Sequence, residues 1–208
     1  MPSEDYAAIV LAGGRSTRLG RDKASEPLLG VPLLQRVVSR LEPLVTQVVA
    51  VKARGQRLPG VHCRPALLEV EDAYPGAGPL GGLYTGLSAM TPEAAIAVAC
   101  DMPLLSTALV AELLRLSDGY DVVIPISDDH PQPLCAVYRK RCLEPIRRRL
   151  EAGAFKLMGF YEDVNVLEVP PAAWRRFDPE GLSFQNLNRE EDLQRAEAVL
   201  RAEDPATT

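Results

Sequence analysis

The stretch YAAIVLAGGRSTRLGRDK, residues 6–23, carries the reading that decides the fold. Tyr6 to Leu11 is a short apolar run, the length and composition of a buried strand. It passes directly into Gly13 and Gly14, which let a backbone approach a ligand closely, and then into Arg15, Arg18 and Lys23. A rigid strand, a glycine turn and a cluster of cations in that order make a cradle for phosphate groups. A Walker A loop does not fit, because Lys23 follows Asp22 and no Gly-Lys-Ser/Thr ending is present. The dinucleotide fingerprint fails too, since its third glycine would be Gly20, which comes too late. The plain structural alternative is a strand with an ordinary glycine turn and solvated arginines, and three cations beside one turn argue against it.

Outward from this stretch, short apolar runs alternate with amphipathic ones, the pattern of a parallel sheet with helices on both faces. Pro32 opens an expected helix through Leu41, ended by Pro43, and Gln47 to Val51 is the second strand. Pro79 to Ala89 reads as a small-residue helix, and Ile96, Val98 and Cys100 as a buried strand ending at Asp101. Ser106 or Thr107 is placed to cap a helix carrying Leu109, Val110, Leu113 and Leu114, after which Asp121 to Ile126 returns to strand. Leu134–Tyr138 and Val164–Val169 are strand-like, with a helix over Cys142–Glu151 between them. Asn188 followed by Glu191 suggests a capping box for a last helix through Arg201. The expected fold is α/β: one Rossmann-like, three-layer domain over 1–208 with a mostly parallel sheet. Residues 6–126 would form a nucleotide-binding half and 127–202 an acceptor-binding half, with 203–208 disordered.

A chain of 208 residues with 47% apolar residues and a net charge of −5 suits one soluble globular domain, and it lacks the overall positive charge of a nucleic-acid binder. The start, MPSEDY, has no apolar export region, and no run approaches the roughly 18 apolar residues of a membrane span. No membrane and a cytoplasmic location are expected. Cys63, Cys100, Cys135 and Cys142 are scattered without metal or redox spacing and read as reduced thiols. His62 and His130 have no motif partner and read as surface polarity.

In an open α/β sheet the ligand lies beyond the carboxyl ends of the strands, so the loops after Leu11, Val51 and Cys100 should share one crevice. Asp101 lies at that edge, with Met102-Pro103 holding the chain extended behind it. A single carboxylate there suits a magnesium ion that takes its other oxygens from a nucleotide. Capping the helix near Thr107 is the structural alternative, and the distance along the chain is too long for it.

The string LAGGRSTRLGRDKA at 11–24 resembles the signature of nucleotidyltransferases that activate phosphorylated small molecules. GPLGGLYTGL at 78–87, ACDMPLL at 99–105, QPLCAVY at 132–138 and FQNLNREEDL at 184–193 narrow the resemblance to the molybdenum cofactor guanylyltransferase, MobA-type, family. It implies the nucleotide-diphospho-sugar transferase type of fold and transfer of GMP from GTP to the phosphate of a molybdopterin-type cofactor, with magnesium. It further implies transient contact with proteins that deliver or receive that cofactor. Residue by residue, it assigns Leu11, Ala12, Gly13, Gly14, Lys23, Asp72 and Asp101 to the nucleotide, and Asp101 to the metal. Arg18, Lys23 and Asp101 carry catalysis, and Gln132, Asn186 and Asn188 take the acceptor. Asn186 and Asn188, two apart on an extended segment, should point the same way.

Several alternatives stay open at this point. Asp72 could be a solvated loop carboxylate in the acidic run LLEVEDAYPG, with Glu71 its substitute if the match slips by one. Asn188 could be only a helix cap. Lys156 and Arg147–Arg149 could draw in an anionic pterin or form a solvated face. The family often has an asparagine where this chain has Val51, which keeps a cytidylyl version alive. A sugar or polyol phosphate acceptor, or a non-catalytic nucleotide-binding protein, would fit the opening stretch alone.

Overall fold

A computed structural model describes residues 5–13 and 22–203. Gly14, Arg15, Arg18 and the tail after 203 lie outside the described residues, so the expectations for them are not met by any description below. In chain order the elements are β1 (Tyr6–Leu11), β2 (Pro27–Leu28), β3 (Val31–Pro32), α1 (Leu33–Leu41), β4 (Gln47–Lys52), β5 (Leu67–Glu71), α2 (Gly78–Ala89) and β6 (Ala94–Ala99). There follow α3 (Thr107–Arg115), β7 (Val122–Ser127), β8 (His130–Pro131), β9 (Cys135–Arg139), α4 (Leu143–Glu151), β10 (Val166–Val169), α5 (Pro171–Trp174) and α6 (Glu190–Glu203).

The main sheet runs β10-β7-β9-β6-β1-β4-β5, with β8 paired to β7 and a separate β2–β3 hairpin. β1 is parallel to both β4 and β6, as are β4 to β5 and β7 to β10, whereas β9 runs antiparallel between β6 and β7. β1 and β6 sit at the middle and read as near-continuous apolar runs because both faces are covered. Alternate residues serve opposite layers. Ala8, Val10, Ile96 and Val98 pack with Leu34, Val37 and Val38 of α1 and Leu109, Val110 and Leu113 of α3. Ala7, Ile9, Ala95 and Ala97 pack with Leu80, Leu83 and Leu87 of α2 and Ile146 and Leu150 of α4. This is the expected three-layer α/β domain. A third cluster joins Leu28, Leu33 and Leu104 to Leu187, Ala196 and Leu200, which seats α6 and the segment before it over the β2–β3 hairpin. No helix among the described residues is long and apolar enough to cross a membrane.

Two expectations are corrected and one element is added. LLEVE, an acidic run to which the sequence reading assigned no element, is the edge strand β5, pairing Val48–Lys52 of β4. The strand expected from Val164 starts at Val166. The last helix is not capped by an Asn188–Glu191 box: it starts at Glu190, and Asp192 Oδ2 reaches back to the amides of Asn188 (2.9 Å) and Arg189 (2.8 Å). These hydrogen bonds, the Asn188 amide's first, hold the Asp192 carboxyl below its usual range. Ser106, not Thr107, caps α3, accepting from Leu109 N at 3.3 Å.

Candidate active site

Lys23 opens a one-turn 3-10 helix, Lys23–Ser25, that Asp22 caps: Oδ1 accepts from Ala24 N (3.1 Å) and Oδ2 from Ser25 Oγ (3.2 Å). From there the Lys23 ammonium donates to Asp101 Oδ2 at 2.5 Å and to Asn188 Oδ1 at 2.6 Å. Residues 78 and 165 positions apart from Lys23 thus meet on one cation. Asp101 lies in the turn just after β6, and its side chain is 11% exposed against 17% for Lys23. An ion pair this screened from water has a strong Coulomb term and an equally real desolvation cost, so its main effect is to fix geometry. Asp101 caps no helix, because Ser106 holds that place.

The C-terminal segment is stapled across the same edge. Leu187 N donates to the Asp101 carbonyl at 2.9 Å. Asp178, 5% exposed, accepts from Leu182 N (3.1 Å) and Ser183 N (2.8 Å), and Ser183 Oγ accepts from Ser106 N at 2.8 Å. Leu187 is buried while Asn186 and Asn188 are exposed, so the two amides face the same side as the alternation requires. Since Asp192 does the capping, the Asn188 side chain is left for Lys23.

At the end of β1, Ala12 N donates to Val51 O at 2.8 Å, and Gly13 lies against the loop after β4. A Cβ on Gly13 would stand 3.0 Å from Ala53 N and 3.3 Å from the Lys52 carbonyl carbon, so close packing of this backbone on the end of β4 favours glycine here. Leu11 lies under α2, 3.0 Å from where a Cβ of Gly82 would be. Asp72 is half-buried and held in place: Oδ1 accepts from Tyr74 N (2.9 Å) and Thr85 Oγ1 (3.3 Å), which moors the turn between β5 and α2. Glu71 accepts from Gly55 N at 2.9 Å. Val51 is 2% exposed and packs with Val49 and Leu80, so no polar contact can come from its side chain.

Gln132 precedes β9, whose Cys135 stands opposite Val98 near the carboxyl end of β6, which puts Gln132 at the same sheet edge as Asp101. Its Nε2 donates to His130 O at 3.1 Å. Arg147 is engaged by Glu144 (2.8 Å) and Glu151 (2.6 Å), and Arg148 and Arg149 each face Asp163 at 3.7 Å, so that run is a paired surface. Lys156 is exposed. The four cysteines are free thiols. Burial first, and the Asp101 charge next, push the Cys100 thiol up to about 12, which removes it as a nucleophile.

Among the described residues there is no group of three His, Cys, Asp or Glu side chains fit to hold a metal by themselves. What is present is one carboxylate and one amide oxygen converging on the lysine cation. These hard oxygen donors suit magnesium, which commonly takes one or two carboxylates and completes its shell with water and substrate phosphate. Gln56 and Asp22, which tie the loop after β4 to the turn of Lys23, were not singled out from the sequence. A polar amide three residues past Ala53, in a loop bound for the crevice, was the available signal.

Residues 8–164 match the model of the MobA-like NTP transferase domain family. The chain is 39% identical over 200 residues to a protein of Chloroflexus aggregans named as a probable molybdenum cofactor guanylyltransferase, covering 93% of this chain and 94% of that one. It is 34% identical over 196 residues to the molybdenum cofactor guanylyltransferase of Desulfosudis oleivorans, covering 93% and 95%. The crystal structure of molybdopterin-guanine dinucleotide biosynthesis protein A from Archaeoglobus fulgidus superposes with a TM-score of 0.78 at 26% identity, over 94% of this chain and 99% of that one. A likeness in fold alone extends to 2-C-methyl-D-erythritol 4-phosphate cytidylyltransferase of Thermus thermophilus, with a TM-score of 0.70 at 17% identity over 93% and 98% of the two chains. By sequence over most of its length and by fold, this chain belongs to the MobA-like NTP transferase family.

Proposed function

We propose that the protein transfers GMP from GTP to the terminal phosphate of a molybdopterin-type cofactor, releasing pyrophosphate. The observation that carries this reading is the meeting of Lys23, Asp101 and Asn188 at the carboxyl edge of the sheet. The names of the relatives support guanine and the pterin acceptor. An oxygen of the acceptor's phosphate forms the new bond to the α-phosphorus as the bond from that phosphorus to the β-phosphate's bridging oxygen breaks. A phosphate monoester is already ionised near neutral pH, so no strong base is needed, and positioning and charge neutralisation do the catalysis.

In this reading Lys23 leaves Asp101 for the triphosphate and neutralises charge on the departing pyrophosphate. That move frees Asn188 Oδ1, and with Asn186 and Gln132 it holds the acceptor. Ala12 and Gly13 bring backbone close to the phosphates, with Gly14 and Arg18 expected beside them, and Asp72 faces the base. Asp101, supplemented by phosphate oxygens, would hold magnesium, which supplies further neutralisation of the phosphate oxygens. Residues up to about 126 serve the nucleotide and the remainder the acceptor. The GTP pool places the reaction in the cytoplasm, and its product passes by transient contact to proteins that carry or use the cofactor.

Incubation with magnesium, GTP and molybdopterin should give the guanine dinucleotide and pyrophosphate, separable by chromatography. CTP at equal concentration should not compete. No dinucleotide overturns the reading, and preferential use of CTP reassigns the base.

A further inference from the structure

Gln56 lies half-buried in the loop after β4, and its amide makes three hydrogen bonds that join separate parts of the chain. Oε1 accepts from Ala53 N at 2.9 Å and folds the loop back on itself. Nε2 donates to the Ala12 carbonyl at 3.1 Å and to Asp22 Oδ1 at 2.9 Å. Ala12 follows β1, and Asp22 caps the turn on which Lys23 stands. One planar side chain therefore spans the two flanks of the glycine and arginine stretch. A relay of direct contacts runs from Gln56 to Asp22, from Asp22 to Ala24 N, and so to the backbone that aims the Lys23 ammonium at Asp101.

The chemistry requires an amide. Gln56 uses an acceptor and two donors on one group, which a carboxylate, an ammonium or a thioether cannot offer together. A loop glutamine serving only its own turn would need the Ala53 contact alone. The other two partners lie 44 and 34 positions away, in the segment that holds the candidate phosphate ligands.

We propose that Gln56 is a positioning residue for nucleotide binding: it touches no substrate and acts by fixing Ala12 and, through Asp22, Lys23. The inference rests on the reading of Lys23 as a phosphate ligand. Its test is a titration of magnesium with a fluorescent GTP analogue, without acceptor, alongside thermal melting. Gln56→Glu sets a carboxylate against the Asp22 carboxylate and the Ala12 carbonyl, and should weaken binding about tenfold or more, as expected for a lost hydrogen bond to a charged group. Gln56→Ala, which adds no charge, should weaken it in the same direction.

Adding Asp22→Asn to Gln56→Glu removes the second of the two facing carboxylate charges, leaving an amide at the position that Gln56 now contacts, and should recover part of the affinity. A merely structural role would move the melting temperature and would not show that recovery. Wild-type affinity in Gln56→Glu, or a double variant that binds no better than Gln56→Glu, overturns the inference while leaving the nucleotide reading intact. A wild-type protein that does not bind the analogue overturns the nucleotide reading and this inference together.

Discussion

Lys23 is the residue on which stability and activity can be separated. Its ammonium satisfies an Asp101 carboxylate that is 11% exposed, so Lys23→Ala strands a partly desolvated charge, at a cost of about 1–3 kcal/mol. Asp101→Ala leaves a long, 17% exposed side chain that can still donate to Asn188 at its present 2.6 Å, and should cost less. The double variant should therefore be more stable than Lys23→Ala alone, a result that urea unfolding will show directly. Transfer should fall about a hundredfold or more in each single variant and no further in the double. Near wild-type rates in one of the single variants would remove the residue substituted there from catalysis. Motif reading identified Lys23 and Asp101 but not their pairing, because an ion pair across 78 positions leaves no trace in local sequence. Asp72 shows another limit: its acidic surroundings left a solvated loop open as an alternative, and the bonds from Tyr74 N and the Thr85 hydroxyl of a neighbouring helix show that it is held.

Among elements, α2 lies close upon β1. A Cβ on Gly86 would stand 2.4 Å from Ile9 Cγ2, and one on Gly82 would stand 3.0 Å from Leu11 Cδ2, so these two glycines let the helix lie directly on the central strand. Gly86→Ala has the better helix propensity yet should destabilise by about 1–3 kcal/mol through overpacking. Adding Ile9→Ala, which removes the atom struck, should make the second substitution less costly than it is in the wild-type background, as read from denaturant midpoints. A stabilising Gly86→Ala would show that the helix lies farther from the strand. The helix itself was legible from GPLGGLYTGL, and so were β1, β4 and β6, whose apolar runs are buried on both faces. β5 was not, because an edge strand with Leu68 39% exposed and Glu69 and Glu71 outward has no clean alternation to detect. Nor was the reversed direction of β9, since orientation in a sheet depends on connections and not on composition.

At the scale of the whole molecule, one sheet unites the parts that the sequence presented as two halves: β9, from the later part, is inserted between β6 and β7 of the earlier one. The thiols report on that unity. Cys100 follows β6, Cys135 opens β9 and Cys142 precedes α4, and all three are buried, with their pKa values pushed up to about 12 chiefly by desolvation. Cys63 lies in the loop before β5, half-buried, and burial with the nearby Glu42 charge takes it up to about 11. A raised pKa lowers the thiolate fraction, so at pH 8 Cys63 should react with a thiol reagent roughly a hundredfold more slowly than an unperturbed cysteine, gaining about tenfold per pH unit below its pKa. The other three need the core to open. In a denaturant series followed by mass spectrometry, Cys100, Cys135 and Cys142 should become reactive together, at the midpoint of global unfolding, because the strands and helix that bury them share one sheet and cannot part singly. Labelling of Cys135 or Cys142 at lower denaturant than Cys100 would mean that the later part opens as a separate unit, and that the antiparallel strand joins two stabilities instead of one.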